Sequence, residues 1–225
     1  MAALLDQRGD VAVLVPAAGA GIRLGPGDPK ALRSIGGSSL LVHCIRRVLA
    51  ARGIGAVVVA APPSSVDTVR TLLPHCVTVV AGGATRQQSV ALALTAVPAR
   101  FQIILVHDAA RALAPASLVE SVAAAVRSGH DAVIPVLPVV DTVKEVSPAG
   151  VVAGTVDRSA LRLVQTPQGF RRRTLAAAHE AAVDALTDDA GLVEKLGVPV
   201  WVVPGSAYAF KITLPVDVAL AEALL

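Results

Sequence analysis

Aromatic side chains are scarce in this chain. Its 225 residues hold three Phe, one Trp and one Tyr, 2% in all. Single-stranded nucleic acids bind on aromatic stacking platforms, so that class of partner is excluded. Charge is thin too, at 16% with a net of +3. The basic residues are dispersed apart from Arg171, Arg172 and Arg173. That triplet reads as a solvated turn at a helix start, not as a nucleic-acid patch. Cysteine is limited to Cys44 and Cys76, with no CxxC; both read as free buried thiols of a reducing cytosol. No apolar run reaches the ~18 residues of a membrane span. The opening MAALLDQRGD is too short and too acidic for a signal peptide. The expectation is a cytoplasmic protein with no nucleic acid and no membrane as partner.

What the chain does have is apolar bulk. It is 54% hydrophobic, much of it Ala, Val and Leu, and a chain of this length can bury a core without disulfide or metal staples. No repeat, linker or compositional break appears, so residues 1–225 read as a single domain. Short apolar strands at Val11–Val15, Ala56–Ala61, Val77–Ala81, Ile103–Val106 and Ala132–Val136 alternate with helices. The helices are expected at Ser39–Ala51, Ser65–Leu73, Gln87–Ala96 and Ser117–Ser128, with Ser39 and Ser117 as caps. Strands apolar on both faces and separated by helices imply an α/β fold: a mostly parallel, doubly wound, Rossmann-like sheet. Such sheets bind ligands at the carboxyl ends of strands. That points to the segments just after Val15, Ala81, Val106 and Leu137.

The alternation breaks from Pro138 to Gln168. Val and Thr alternate around Ser147, Pro148, Ala149 and Gly150, which reads as a β-hairpin arm projecting from the sheet over about residues 138–168. Its Val139, Val140, Val143, Val151 and Val152 need cover. A matching arm from a second copy is the natural cover, so a homodimer through the arm is expected. A helix near Thr174–Ala185, a short helix after Thr187, a strand at Val200–Val203 and a closing helix at Val216–Leu225 follow.

The strongest chemical signal is VAVLVPAAGAGIRLGPGDPK, Val11 to Lys30. A buried strand enters a loop with Gly19, Gly21, Gly25 and Gly27, and glycines let backbone amides approach phosphate oxygens. The spacing lacks the third glycine of the dinucleotide fingerprint and the Gly-Lys-Ser/Thr of a Walker loop, which disfavours an NAD-dependent oxidoreductase. The loop adds two cations, Arg23 and Lys30. Two cations on one glycine loop fit a triphosphate and the charge that builds in its transition state.

PAAGxGxR followed by PK resembles the sugar-nucleotide-type cytidylyltransferases, and within them the 2-C-methyl-D-erythritol 4-phosphate cytidylyltransferase family of non-mevalonate isoprenoid synthesis. Further stretches agree, in order: GGATRQQSV (Gly82–Val90), VHDAAR (Val106–Arg111), DTVK (Asp141–Lys144), TVDR (Thr155–Arg158), QTPQ (Gln165–Gln168) and FKIT (Phe210–Thr213). The likeness runs from Val11 to about Leu220. It departs at Ala84, where the family often has Asp, and at TDDAG (Thr187–Gly191), where TDEAS is common.

The resemblance implies cytidylyl transfer from CTP to a small phosphorylated polyol, releasing pyrophosphate, with Mg2+ as cofactor. It implies that Pro16, Ala17, Ala18, Gly19, Gly21, Gly82, Gly83, Ser89 and Ala109 hold the nucleotide. Arg23 and Lys30 would bind the triphosphate and stabilise the pentacoordinate phosphorus. Asp108 and Arg111 would sit beside the acceptor. Thr142 and Arg158 would ride on the arm and reach the acceptor phosphate in the partner's site. Thr166, Thr187 and Lys211 would complete that pocket.

The attacking phosphate oxygen is already anionic, so no general base is required and the lack of a catalytic triad is no objection. His107 reads as a hydrogen-bonded structural residue, and His43, His75, His130 and His179 lack metal-ligand spacing. Mg2+ is expected to be held largely by phosphates, with Asp108 as the candidate protein ligand. Asp188 and Asp189 read as favouring a helix N-terminus through its dipole. Two alternatives stand beside this reading: ribitol 5-phosphate as acceptor, and a non-catalytic nucleotide-binding module. The uninterrupted PAAGAG, VHDAAR and TVDR favour the methylerythritol phosphate.

Overall fold

The structure is a computed structural model that describes residues 5, 9–19, 24, 27–183 and 186–225. Arg23 and Gly21, two of the expected site residues, lie outside the described residues.

The parallel half of the sheet forms where the apolar runs stand. Strands β1 (Val11–Pro16), β4 (Ile54–Ala61), β5 (Thr78–Ala81) and β6 (Ile103–Val106) pair in parallel, with β1 between β4 and β6 and β5 beyond β4. Along β1 successive side chains alternate between the faces. Val11, Val13 and Val15 join one core with Leu41, Ile45, Val48, Val122 and Val126. Ala12 and Leu14 join a second core with Val90, Ala93, Leu94, Leu175 and Val193. Helices α1 (Leu40–Leu49), α2 (Val66–Leu72) and α4 (Ala116–Arg127) therefore cover one face. Helices α3 (Arg86–Thr95), α5 (Arg172–Glu180) and α6 (Asp189–Lys195) cover the other. This is the expected doubly wound arrangement. Cys44 is buried in the first core, whereas Cys76, at the edge of that layer, is only partly buried.

Local chemistry explains the helix starts. Ser39 Oγ accepts from Val42 N–H at the head of α1. Thr85 and Gln88 form a reciprocal capping box on α3. Ser117 does not cap α4 as expected: the helix begins at Ala116 after Pro115, with no side-chain cap. The fixed φ of Pro115 pre-sets the helix entry instead. Nor is the arginine triplet simply solvated. Arg172 donates to the carbonyls of Pro98, Val97 and Leu94, tying the start of α5 to the end of α3. Arg173 pairs with Asp131. Helix α5 ends at Glu180, short of the expected Ala185, which lies outside the described residues.

The other half of the sheet holds two strands that the amino-acid pattern did not reveal. Strand β7 (Ala132–Pro138) pairs in parallel with β12 (Trp201–Pro204). Between β6 and β7 runs the antiparallel β11 (Gln168–Arg171), and β10 (Arg162–Val164) lies antiparallel to β7. The arm is consequently shorter than residues 138–168. Only β8 (Val143–Val146) and β9 (Val152–Val156) form the hairpin, with Gly150 at φ +80° in its turn. Gly150 N–H donates to Ser147 O, and Ser147 N–H to Val151 O. Val140, Val146, Val151 and Val152 are exposed on the arm. Strands β2 (Ser34–Ile35) and β3 (Ser38–Ser39) make a small separate hairpin, and α7 (Pro215–Ala223) closes the chain. Among the described residues no helix is long and apolar enough to cross a membrane.

Candidate active site

Three loops leave the carboxyl ends of β1, β5 and β6 side by side, and each is anchored to a neighbouring strand before it diverges. Ala17 N–H donates to Ala60 O, Gly82 N–H to Ala61 O and His107 N–H to Leu14 O. The cleft between them measures about 490 Å³. Of the residues expected to hold a nucleotide, Pro16, Ala17, Ala18, Gly19, Gly83, Ser89 and Ala109 line it. Gly82 lies behind this surface. A Cβ there would stand 2.7 Å from Ala18 Cβ and 3.2 Å from Ala61 O. Only glycine lets the loop after β5 lie this close to the loop after β1. Ser89 Oγ accepts from Gly83 N–H and donates to Thr85 O, so it holds the turn together. Of the segments expected at strand ends, only the one after Leu137 is missing from the cleft.

Lys30 opens a short 3-10 helix (Lys30–Leu32) and lines the cleft, as do Arg86 and Lys211. Against these cations stands, among the described residues, one lining carboxylate, Asp108. Its Oδ2 accepts from Lys211 Nζ at 2.7 Å and its Oδ1 from Arg86 Nε at 3.2 Å. Burial by itself would raise the Asp108 pKa. The cations of Arg86, Lys211 and Arg111 outweigh it and hold the carboxyl well below the usual range. A cleft with more positive than negative charge suits a polyanion.

The remaining acceptor residues divide into two groups. Thr166 is buried and accepts from Asp108 N–H. Arg111 is turned to backbone, donating to Ala209 O at 2.6 Å and Val164 O at 3.1 Å. It thereby fastens the segment carrying Lys211 and the strand β10. Thr142 and Arg158 lie on the arm, exposed and outside the cleft lining, and Arg158 donates to Val140 O at the base of the hairpin. Thr187 is exposed just before α6.

The amino-acid pattern did not reveal Arg86 as a cleft residue, nor that it pairs with Asp189 behind the cleft. Arg86 donates to Asp189 Oδ2 at 2.6 Å, and Asp189 Oδ1 meets His179 Nε2 at 2.9 Å. Asp189 is thus not a helix-dipole residue alone; its carboxylate is buried in an ion pair. Asp188 does cap α6, accepting from Gly191 N–H. One signal was available. Arg86 is the first residue of α3, where the dipole disfavours a cation, so a cation there asks for an anionic partner. The QTPQ motif also gains a reason. Gln165 pairs through its amide with both backbone groups of Ser206. Gln168 donates to Asp188 and accepts from Ala190 N–H, fixing the start of α6.

His107 is buried with Nδ1 on the Thr166 hydroxyl, and burial, helped by the Arg111 cation, lowers its pKa to about 4. It is a neutral structural histidine. His43 meets Ile35 O and His130 stacks on Trp201. Among the described residues no three His, Cys, Asp or Glu side chains cluster as metal ligands. Asp108, the one carboxylate lining the cleft among the described residues, offers the hard oxygen donor that a magnesium-type cation takes.

Comparison with known proteins agrees along the chain. The IspD family, 2-C-methyl-D-erythritol 4-phosphate cytidylyltransferase, matches residues 11–225. A 2-C-methyl-D-erythritol 4-phosphate cytidylyltransferase of Frankia casuarinae is 57% identical, over 96% of this chain and 81% of that one. One from Rhodococcus jostii is 51% identical, over 98% of this chain and 97% of its own. The crystal structure of the Thermus thermophilus enzyme of that name superposes with a TM-score of 0.81 at 41% identity, covering 96% of this chain and 98% of that one.

Proposed function

This chain belongs to the 2-C-methyl-D-erythritol 4-phosphate cytidylyltransferase family, transferring a cytidylyl group from CTP to that alcohol phosphate in isoprenoid synthesis, and from this premise we propose how its residues divide the work. The observation that carries the proposal is the cleft itself, in which Lys30 and the Asp108–Lys211 pair join the backbone of three strand-end loops.

The nucleotide lies along Pro16–Gly19 and Gly83, backed by Gly82, with Ser89 and Ala109 completing a slot whose short backbone contacts suit a pyrimidine. The apolar, close-packed Ala18 and Gly82 support that reading. Lys30 binds the triphosphate and stabilises charge on the pentacoordinate phosphorus, together with Arg23 and the backbone at Gly21. The acceptor binds at Asp108 and Lys211, with Thr166 and Arg111 shaping that side. Its phosphate oxygen attacks the α-phosphorus in line with the leaving pyrophosphate. This oxygen carries its charge already, so no side chain has to remove a proton; His107, buried on the Thr166 hydroxyl and outside the cleft lining, is in keeping with that. The residues supply alignment and charge stabilisation. Asp108 is the carboxylate that would face Mg2+ arriving with the nucleotide, and the ion would offset repulsion between the two anions.

Thr142, Arg158 and Thr187 complete the acceptor phosphate pocket, the first two from the arm of a second copy. The exposed valines of the arm and the exposure of both residues support a homodimer joined there. Each copy acts as one domain, in the cytoplasm.

Incubation with Mg2+, each of the four triphosphates and either methylerythritol phosphate or ribitol 5-phosphate tests the specificity. Pyrophosphate release is expected with CTP and methylerythritol phosphate alone. Equal turnover of ribitol 5-phosphate would overturn the acceptor assignment, and CTP binding without turnover of any pair would mark a non-catalytic nucleotide-binding module.

A further inference from the structure

The polar chain that begins at Asp108 runs inward, away from the cleft, and the nucleotidyl transfer chemistry uses only its outer end. From inside to outside it is His179, Asp189, Arg86, Asp108, Lys211. The innermost carboxylate is the driest and the outermost cation the wettest: side-chain exposure is 1% for Asp189, 26% for Arg86, 11% for Asp108 and 42% for Lys211. Arg86 Nη1 meets Asp189 Oδ2 at 2.6 Å at the dry end and Lys211 Nζ meets Asp108 Oδ2 at 2.7 Å at the wet end, so burial, not length, distinguishes the two. Charge-assisted bonds out of water are the stiff ones, so the inner end is fixed. Lys211 at the outer end can swing on a flexible stem.

We propose that Arg86, locked by the buried Asp189, is a positioning residue for the acceptor: it keeps the Asp108 carboxylate in place while Lys211 exchanges that carboxylate for the phosphate of the incoming alcohol.

The charge count supports this. The Asp108–Lys211 pair is neutral, and an arriving phosphate competes for the lysine. Without Arg86, the exchange would leave the buried Asp108 carboxylate with no hydrogen-bonded cation, only the field of Arg111, beside a second anion, which is costly. With Arg86, one cation stays on Asp108 throughout. Only a planar guanidinium can serve Asp108 through Nε and Asp189 through Nη1 at once; an ammonium cannot span both. Arg86 needs the second anchor, because a cation at the first turn of α3 opposes the helix dipole. His179 Nε2 on the far oxygen of Asp189 keeps that carboxylate from rotating.

This inference rests on the assignment of Asp108 and Lys211 to the acceptor. Its test uses the full chain with Mg2+ and CTP, and reads kcat and the KM of each substrate beside Tm. Asp189 lies outside the cleft lining, and Asp189→Asn preserves its shape while removing its charge. It is expected to raise the acceptor KM about tenfold, the size of a coupling between contacting charged groups. The CTP KM should change less than about twofold. Arg86→Gln should raise the acceptor KM likewise, and in that KM the double variant should match Arg86→Gln alone. A lower Tm with an unchanged acceptor KM, or effects of the two substitutions that multiply, would reduce Arg86 and Asp189 to a fold staple and overturn the proposal. If Asp189→Asn yields no folded protein, Arg86→Lys decides: a raised acceptor KM supports the clamp, a wild-type value removes it. Asp108→Asn separates the two layers. If it leaves the acceptor KM unchanged, the assignment of Asp108 falls. If it raises that KM while Asp189→Asn does not, only the clamp falls.

Discussion

His107 Nδ1 and Thr166 Oγ1 lie 3.1 Å apart, both buried, and His107 directly precedes Asp108, whose carboxylate faces the cleft. The Thr166 hydroxyl also accepts from Asp108 N–H, so the loop after β6 is held from inside by a neutral imidazole and a hydroxyl.

Burial of His107 sets a pH dependence. The folded pKa of His107, about 4, is below its unfolded value of 6.5. Between those values the unfolded chain takes up a proton that the native chain refuses. The stabilisation is therefore complete above about pH 6.5 and is lost as pH falls toward 4, up to about 3 kcal/mol. Asp108, whose pKa is depressed, gives its contribution up only at still lower pH. Thermal unfolding from about pH 7.5 to about pH 4.5 should show Tm falling across this window. His107→Gln should be less stable at neutral pH and lose the slope; an undiminished slope would assign it to other groups.

Lys30→Ala is expected to lower kcat by about 10²–10³-fold, the usual loss for one group aimed at transition-state charge. Acceptor affinity, measured by calorimetry, should hardly change. An unchanged kcat would remove Lys30 from the transition state.

Arg158→Ala should raise the acceptor KM with little change in the CTP KM. Mixing it with Lys30→Ala subunits should restore part of the activity, since a hybrid dimer would contain one site with both residues intact. Failure to complement, with mixed dimers demonstrated, would return Arg158 to the site of its own chain.

Gly169→Ala probes the antiparallel strand β11. A Cβ at Gly169 would stand 2.7 Å from Val122 Cγ1, 2.9 Å from Val126 Cγ2 and 3.0 Å from Leu105 Cδ2. All three are core atoms with nowhere to retreat. Overpacking of this kind costs about 1–3 kcal/mol, so Tm should fall by roughly 2–10 °C. A variant as stable as the parent would show that α4 can shift off the sheet at little cost.

The residues of the parallel half announce themselves. Val11–Val15 and Ile103–Val106 are apolar on both faces, and the only way to bury both is between two helical layers. The glycines and cations that follow such strands fall at carboxyl ends, so Pro16–Gly19, Lys30, Gly83 and Asp108 could be placed in one cleft from the chain alone. Local chemistry also marked the hairpin turn at Ser147–Gly150 and the cap at Ser39. Strands β10 and β11 left no such mark. Arg162–Val164 is three residues long, and Gln168–Arg171 carries a glycine and two polar side chains. Each becomes a strand only because β6 and β7 offer it unpaired backbone. The Arg86–Asp189 pair spans 103 positions in the chain, and Asp108–Lys211 also spans 103.

Periodicity and turn chemistry act over a few residues, and that is the range over which this chain determined its own helices, its central strands and its glycine loop. Which distant charges meet, and which carboxylate is driven into the dry interior, depends on how α3, α5 and α6 pack on one face of the sheet. An ion pair acquires its strength from the exclusion of water, and only the assembled layers exclude it.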